Sequence, residues 1–90
     1  MKKLAIIPAY NEMGNIEKTV NDISENAKSF DYIVIDDCST DDTAKICEEQ
    51  GFSFISLPTN LGIGGSVQTG YLYAVKHGYE IAVQFDGDGQ

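Results

Sequence analysis

Two aspartates near the end of the sequence, Asp86 and Asp88, are separated by one glycine and followed by Gln90. Two carboxylates at this spacing can converge on one divalent cation if the chain bends between them, and Gly87 permits such a bend. Oxygen ligands suit Mg²⁺ or Mn²⁺, which can bridge in turn to phosphate oxygens. Because aspartate and glycine are also common in solvated turns, the motif alone leaves both a metal site and a simple turn open.

A second acidic pair, Asp36 and Asp37, directly follows an apolar run. One of these carboxylates could accept hydrogen bonds from a nucleobase or a ribose, or Asp37 could cap the next helix together with Ser39 and Thr40. Tyr10 follows another apolar run, where its ring could pack against a flat base or against the edge of the core. The glycine-rich segment 60–66 matches neither a Rossmann fingerprint nor a Walker A loop, which favours a close strand-to-helix turn.

The segments that must position these residues alternate between two patterns. Short apolar runs at residues 4–7, 32–35, 52–57 and 81–85 predict buried strands, the first of them ended by Pro8. Between them, apolar residues recur at helical spacing, with Asn15 as a predicted N-cap and with Gly51 and Gly78 as predicted helix ends. The order β-α-β-α-β-α-β predicts an α/β three-layer sandwich with a mainly parallel sheet.

The candidate polar residues all follow strands, so a parallel sheet would bring them to one rim, where ligands bind in open α/β folds. Acidic side chains gathered at such a rim repel one another unless a cation or a ligand is present. The chain carries 14 acidic and 6 basic residues, with no arginine and a net charge of −8. This balance, with its scattered lysines, argues against a nucleic-acid partner.

Cysteine usage and hydropathy indicate the cellular compartment in which the protein is expected. Cys38 and Cys47 lack the spacing of a zinc site, and we interpret both as reduced thiols of a cytoplasmic protein. The first apolar run is too short for a signal peptide, and no stretch approaches the ~20 apolar residues of a membrane span.

Taken together, these motifs resemble the N-terminal signature of family 2 glycosyltransferases, which have the GT-A fold. Matching segments occur in family order at residues 6–12, 34–43, 60–62 with Gly70, and 86–90. The D-x-D-x-Q form of the last segment is similar to the dolichyl-phosphate mannosyltransferase-like branch. One departure is Cys38, where the family usually has glycine. A cysteine there is strained if the turn needs a positive φ.

The resemblance implies that residues 1–90 form the nucleotide-sugar-binding N-terminal part of a glycosyltransferase domain, a Rossmann-like half of the GT-A fold. Within it, Ile35 and Asp37 would contact the base. The implied donor-binding residues are Pro8, Tyr10, Glu12, Ile35, Asp37, Asp86 and Gly87. The implied ligands of Mg²⁺ or Mn²⁺ on the donor diphosphate are Asp86, Asp88 and Gln90.

The implied activity is a metal-dependent, inverting transfer of a sugar from a nucleotide-diphospho-sugar to a lipid-phosphate or saccharide acceptor, such as a polyprenyl phosphate or a growing polysaccharide. The family's general base lies beyond the acidic motif. We therefore expect a truncated, inactive donor-binding part that self-associates through exposed sheet edges. The full-length protein is expected in the cytoplasm, including the cytoplasmic face of the membrane.

Two other functions fit parts of the pattern. A sugar nucleotidyltransferase would carry a glycine-rich, arginine-containing loop after the first strand, where this chain has residues 8–12 and no arginine. A non-catalytic, Mg²⁺-binding receiver-like module would need a phosphoacceptor aspartate after its third strand, and residues 57–60 contain no acid. Both are weaker interpretations than the glycosyltransferase.

Overall fold

The computed structural model describes residues 1–86 as a four-stranded parallel sheet with helices on both faces. The elements in chain order are β1 (Lys3–Ala9), α1 (Ile16–Asn26), β2 (Phe30–Asp36), α2 (Thr43–Gln50), β3 (Phe54–Ser56), α3 (Gly62–Lys76) and β4 (Ile81–Gln84). The strands lie in the order β3-β2-β1-β4, and every neighbouring pair is parallel. The predicted α/β sandwich and its element order are confirmed.

Strand β1 lies inside the sheet and is buried on both faces, as its continuous apolar run predicts. Alternate side chains of a strand point to opposite faces, so β1 contributes to two cores. On one face, Ala5 and Ile7 pack with residues of α1 and α2. On the other face, Leu4 and Ile6 pack with β2 and α3. The helices therefore hold the ends of the strands in fixed positions on both sides.

Pro8 does not end strand β1, contrary to the prediction, and the pairing with β2 continues to Ala9. In a parallel ladder, both backbone groups of one residue face the same neighbouring strand. The carbonyl of Ile6 accepts the N–H of Phe85 at 2.8 Å, so Ile6 and Pro8 both face β4. The pairing of β1 with β4 ends at Ile6. No hydrogen bond of this pairing therefore requires the backbone N–H that Pro8 lacks.

Other boundaries differ by a few residues. Strand β3 is shorter than the predicted run at 52–57, because it pairs only with the last three residues of β2. Asn15 precedes α1 as predicted but makes no side-chain cap hydrogen bond. Gly51 and Gly78 end α2 and α3 with left-handed φ values of 72° and 75°, which confirms the predicted helix ends.

Helix α3 lies unusually close to β1 at Gly70. A Cβ atom built on Gly70 would lie 2.3 Å from Cγ2 of Ile6, inside any real contact distance. Glycine is therefore needed at this crossing, and the close packing places the first turns of α3 beside the carboxyl end of β1.

Over residues 1–86, no helix is both long and apolar enough to cross a bilayer.

Candidate functional site

The loop that follows β1 carries Tyr10 and Glu12, and Asn11 between them fastens it to the loop after β2. Asn11 has a positive φ of 54°, a conformation that asparagine adopts more readily than most residues. Its Oδ1 accepts the N–H of Thr40 at 2.8 Å, and its own N–H donates to Oγ of Ser39 at 2.9 Å. These hydrogen bonds therefore connect the loop after β1 to the loop after β2. The sequence analysis assigned no separate role to Asn11.

Thr43, the first residue of α2, continues this connection. Its buried hydroxyl accepts the N–H of Glu12 at 2.9 Å and donates to the carboxylate of Asp41. The N–H of Met13 donates to the same carboxylate at 3.3 Å. Partial burial would raise the pKa of Asp41, but the hydrogen bonds from Thr43 and Met13 outweigh burial and hold that pKa below its ordinary value. Asp41 thus stays ionised and fixes the loop that carries Glu12.

Asp36 shapes the turn after β2 from inside the protein. Its buried carboxylate accepts the hydroxyl and the backbone N–H of Ser39, and it accepts the hydroxyl of Ser56 at 3.4 Å. The turn places Cys38 at a φ of 59°, so the positive φ that the family's glycine suggested is real and the cysteine is strained. The left-handed conformation costs a residue with a Cβ roughly 1–2 kcal/mol.

Both cysteines are free thiols, as the sequence analysis expected. Cys47 lies in the core between α2 and the sheet. Burial, together with the nearby carboxylate of Asp36, raises the pKa of its thiol to about 11. Cys47 is therefore a packing residue, because a protonated, inaccessible thiol is a poor nucleophile.

Asp37 anchors the beginning of α3. Its carboxylate oxygens accept the backbone N–H of Leu61 at 2.6 Å and that of Gly62 at 2.9 Å. The negative charge of Asp37 also interacts favourably with the positive, N-terminal end of the α3 dipole. The capping alternative considered for Asp37 placed it on the following helix, α2, whereas the structure places it at α3. With only 4% of its surface exposed, Asp37 has little capacity left for a ligand.

A cavity of about 210 Å³ opens beside the first turns of α3, at the carboxyl ends of β1, β2 and β4. We call it the rim cavity; its lining residues are Pro8, Ala9, Tyr10, Glu12, Asp37, Ile63, Ser66 and Asp86. Tyr10 is 47% exposed, so one part of its ring is free to meet a ligand. The volume lies below the ~300–1,000 Å³ of pockets for drug-sized ligands, which suits a part of a nucleotide sugar rather than all of it.

The rim cavity brings together five of the donor-binding residues that the family resemblance implied: Pro8, Tyr10, Glu12, Asp37 and Asp86. A sixth, Ile35, does not line the cavity. Ile35 is completely buried in the core beneath α3 and presents no surface to the cavity. The side chain of Ile35 points into the sheet–helix interface, and the contact with a base that the resemblance implies stays a prediction. Gly87, Asp88 and Gln90 lie outside the described residues.

Three lining residues, Ala9, Ile63 and Ser66, were missed by the sequence analysis. Ala9 belongs to β1, which was predicted to end earlier. The other two lie in the glycine-rich segment, which we had interpreted as a turn. An available signal was the helical spacing of Ile63, Ser66 and Gly70, which places all three along one side of α3.

The rim cavity is acidic. Its lining includes the carboxyl groups of Glu12, Asp37 and Asp86, and it includes no lysine. A diphosphate would be repelled by these charges unless a cation lay between them. Asp86 is exposed at the cavity, and its Oδ1 accepts a hydrogen bond from Nε2 of Gln84 at 2.8 Å.

Asp86 therefore offers the oxygen chemistry that Mg²⁺ or Mn²⁺ prefers. Across residues 1–86, no three acidic, histidine or cysteine side chains lie close enough together to hold a metal ion. Further ligands would have to come from residues beyond Asp86, from water or from a bound phosphate, which fits the way Mg²⁺ is usually held.

The sheet and its acidic rim cavity define an α/β domain of the kind that binds nucleotides at the carboxyl ends of its strands. The family model described as Glycosyl transferase family 2 matches residues 4–90. The chain therefore belongs to glycosyltransferase family 2.

Among curated relatives, the undecaprenyl-phosphate mannosyltransferase of Micrococcus luteus is 30% identical over 94 residues, covering 99% of this chain and 39% of that protein. The chain thus spans about two fifths of that relative's length.

Solved structures support the same fold. The glucosyl-3-phosphoglycerate synthase of Mycobacterium tuberculosis, in complex with Mn²⁺, UDP and glucosyl-3-phosphoglycerate, aligns with a TM-score of 0.76 and 27% identity, over 97% of this chain and 33% of that one. A mannosyltransferase of Pyrobaculum calidifontis, in complex with GDP-mannose and Mn²⁺, aligns with a TM-score of 0.79 over 97% of this chain and 27% of that one. Its 24% identity supports the fold alone. The GT-A fold is confirmed.

Proposed function

We propose that this chain is the donor-binding part of a glycosyltransferase and that the rim cavity holds the nucleoside diphosphate of a nucleotide sugar. The observation that carries the proposal is the meeting of Pro8, Tyr10, Glu12, Asp37 and Asp86 in one cavity. These residues come from the carboxyl ends of three strands, β1, β2 and β4, which are far apart in sequence. The Mn²⁺–UDP complex of the M. tuberculosis synthase supports the same use of the fold.

The arrangement of the lining residues suggests the orientation of the donor. Asp37 and Ser66 are buried parts of the cavity lining, whereas Tyr10, Ile63 and Asp86 are exposed. The nucleoside belongs between these buried residues and the exposed ring of Tyr10, because a flat base gains most from an aromatic face. The diphosphate belongs near Asp86, where a cation can offset its charge.

We propose Mg²⁺ or Mn²⁺ as the cofactor, with Asp86, Asp88 and Gln90 as its ligands. Asp86 supports this by its carboxylate at the cavity, and the other two lie outside the described residues. When bound, such an ion stabilises the negative charge on the departing diphosphate. The chain's own residues bind the donor, orient it and keep the carboxylates in place. Gly87 would lie against the donor.

For the whole protein we propose an inverting sugar transfer to a polyprenyl phosphate, with a saccharide as the second candidate acceptor. The M. luteus relative, named for undecaprenyl phosphate, favours the lipid. A lipid-linked acceptor would place the protein at the cytoplasmic face of a membrane. The general base would be supplied from outside these 90 residues.

We also propose that the chain associates with a second copy of itself. Apolar side chains are exposed on α3 (Leu72 and Val75), on the edge strand β4 (Ile81 and Val83) and directly after it (Phe85). Sheet edges and apolar patches of this kind favour pairing. Sedimentation velocity should show a dimer that Val75→Lys dissociates. A monomer at every concentration would contradict the proposal.

The test of donor binding is calorimetric titration with UDP and GDP, in Mn²⁺ and in EDTA. We expect one nucleotide to bind several-fold more tightly with Mn²⁺, because its phosphate oxygens complete the metal shell. Asp86→Asn should remove most of that gain and leave the affinity in EDTA unchanged. Asp22→Asn, which removes the same charge from the exposed side of α1, is the control. Equal affinities in Mn²⁺ and EDTA would refute the metal's role, and no binding of either nucleotide would refute the function.

A further inference from the structure

Ser66 carries a buried hydroxyl without a partner. It lies on α3, and only 1% of its surface is exposed. Its Oγ makes no hydrogen bond, and within residues 1–86 no other buried side-chain nitrogen or oxygen is left unpaired in this way. Ser66 is also one of the residues that line the rim cavity. The residue that carries the unpaired hydroxyl therefore belongs to the wall of the proposed donor site, with its Oγ just beneath the surface.

Such a hydroxyl would normally be satisfied inside its own helix. Serine and threonine often donate to the carbonyl four residues earlier. Thr69, one turn along α3, does so to the carbonyl of Gly65 at 2.8 Å. An unsatisfied buried polar group destabilises the folded state, so native proteins contain few of them. An alanine at position 66 would avoid this destabilisation with almost the same shape.

The neighbouring carboxylate is already occupied. Asp37 uses its oxygens to accept the first backbone N–H groups of α3, and α3 reaches Ser66 one turn after Gly62. Ser66 and Asp37 are both buried, whereas Asp86 is exposed. Among the buried polar side chains of the cavity lining, Ser66 is thus the one with an unused donor and unused acceptors.

We infer that Ser66 is a nucleoside-binding residue, whose Oγ forms a hydrogen bond with a polar group of the base or the ribose of the donor. This inference rests on the proposed function, because it needs the rim cavity to hold a nucleotide. The apo protein keeps the hydroxyl unpaired, and the bound nucleoside satisfies it. The contact belongs to the nucleoside rather than to the diphosphate, because Ser66 is buried whereas Asp86, beside which we place the diphosphate, is exposed.

The experiment compares Ser66→Ala with Thr69→Val, a control that removes a hydroxyl from the same helix away from the cavity lining. The ligands are whichever of UDP and GDP the wild type binds more tightly and the corresponding nucleoside monophosphate. Ser66→Ala should weaken both ligands by the same factor, about 3- to 10-fold, while the melting temperature of the free protein stays equal or rises. Thr69→Val should leave both affinities unchanged and should not raise the melting temperature.

Four results would overturn the inference. Unchanged affinity of Ser66→Ala, with a wild type that binds, would mean that the hydroxyl meets only water, and the donor-binding proposal would stand. A loss for the diphosphate alone would move the contact to the phosphates. A lower melting temperature with unchanged affinity would make Ser66 a structural residue. A wild type that binds no nucleotide would refute the proposed function together with this inference.

Discussion

Replacing Asp37 by alanine should lower the free energy of unfolding by about 2–4 kcal/mol, because two backbone N–H groups at the start of α3 lose a charged acceptor. The first turns of α3 should then shift, and with them Ile63 and Ser66, so nucleotide affinity should fall as well. Urea denaturation and nucleotide titration measure the two effects. For a domain of this size, whose total stability is roughly 5–13 kcal/mol, the loss is a large fraction.

The matched control for this substitution is Asp42→Ala. Asp42 also precedes a helix, α2, but it is exposed and its side chain makes no cap hydrogen bond. Its replacement should change the free energy of unfolding by about 0.5 kcal/mol or less. If the Asp37 and Asp42 variants were equally stable, the anchoring role of Asp37 would be wrong.

Replacing Gly70 by alanine should destabilise the protein by about 1–3 kcal/mol, since the new methyl group would overlap Ile6 and force α3 away from β1. Gly64→Ala on the same helix is the opposite case. A Cβ there meets nothing within 4 Å, so alanine should stabilise the helix by about 0.5–1 kcal/mol. Thermal or urea unfolding of the two variants should therefore show changes of opposite sign.

A double substitution checks the cause of the Gly70 effect. In an Ile6→Ala background, the side chain that obstructs the new methyl group is gone, so Gly70→Ala should cost much less than it does in the wild type. The difference is the coupling energy of a double-mutant cycle. If Gly70→Ala lowered the free energy of unfolding by the same amount in that background, overlap with Ile6 would not be the cause of the destabilisation.

The order of the elements followed from the sequence because the strands are short, continuous apolar runs and the helices have apolar residues at helical spacing. Gly51 and Gly78 were predictable as helix ends, since a left-handed backbone favours glycine. Pro8 was misjudged because its effect depends on which neighbour its backbone faces, and β4 pairs with β1 only as far as Ile6.

The site was predictable in part. The polar residues after the strands reach one rim, as parallel topology requires. The role of Asp37 was not accessible, because its partners lie 24 and 25 positions further along the chain and belong to a segment interpreted as a turn. Ile35 was placed at the base through family resemblance, whereas the alternation of side chains along β2 directs it into the core with Ile33. Ser66 needed the structure, since only three-dimensional packing shows that a hydroxyl lacks a partner.

The central claim is that the rim cavity binds a nucleoside diphosphate, and amide NMR spectra recorded during a titration with UDP or GDP and Mg²⁺ test it most directly. We predict that the largest shift changes fall on Tyr10, Ile63 and Ser66. The amides of Asp31 and Tyr79, whose side chains share a hydrogen bond of 2.7 Å in a separate hollow, should be unaffected. Saturating nucleotide with no shift changes, or with changes confined to that other hollow, would contradict the account.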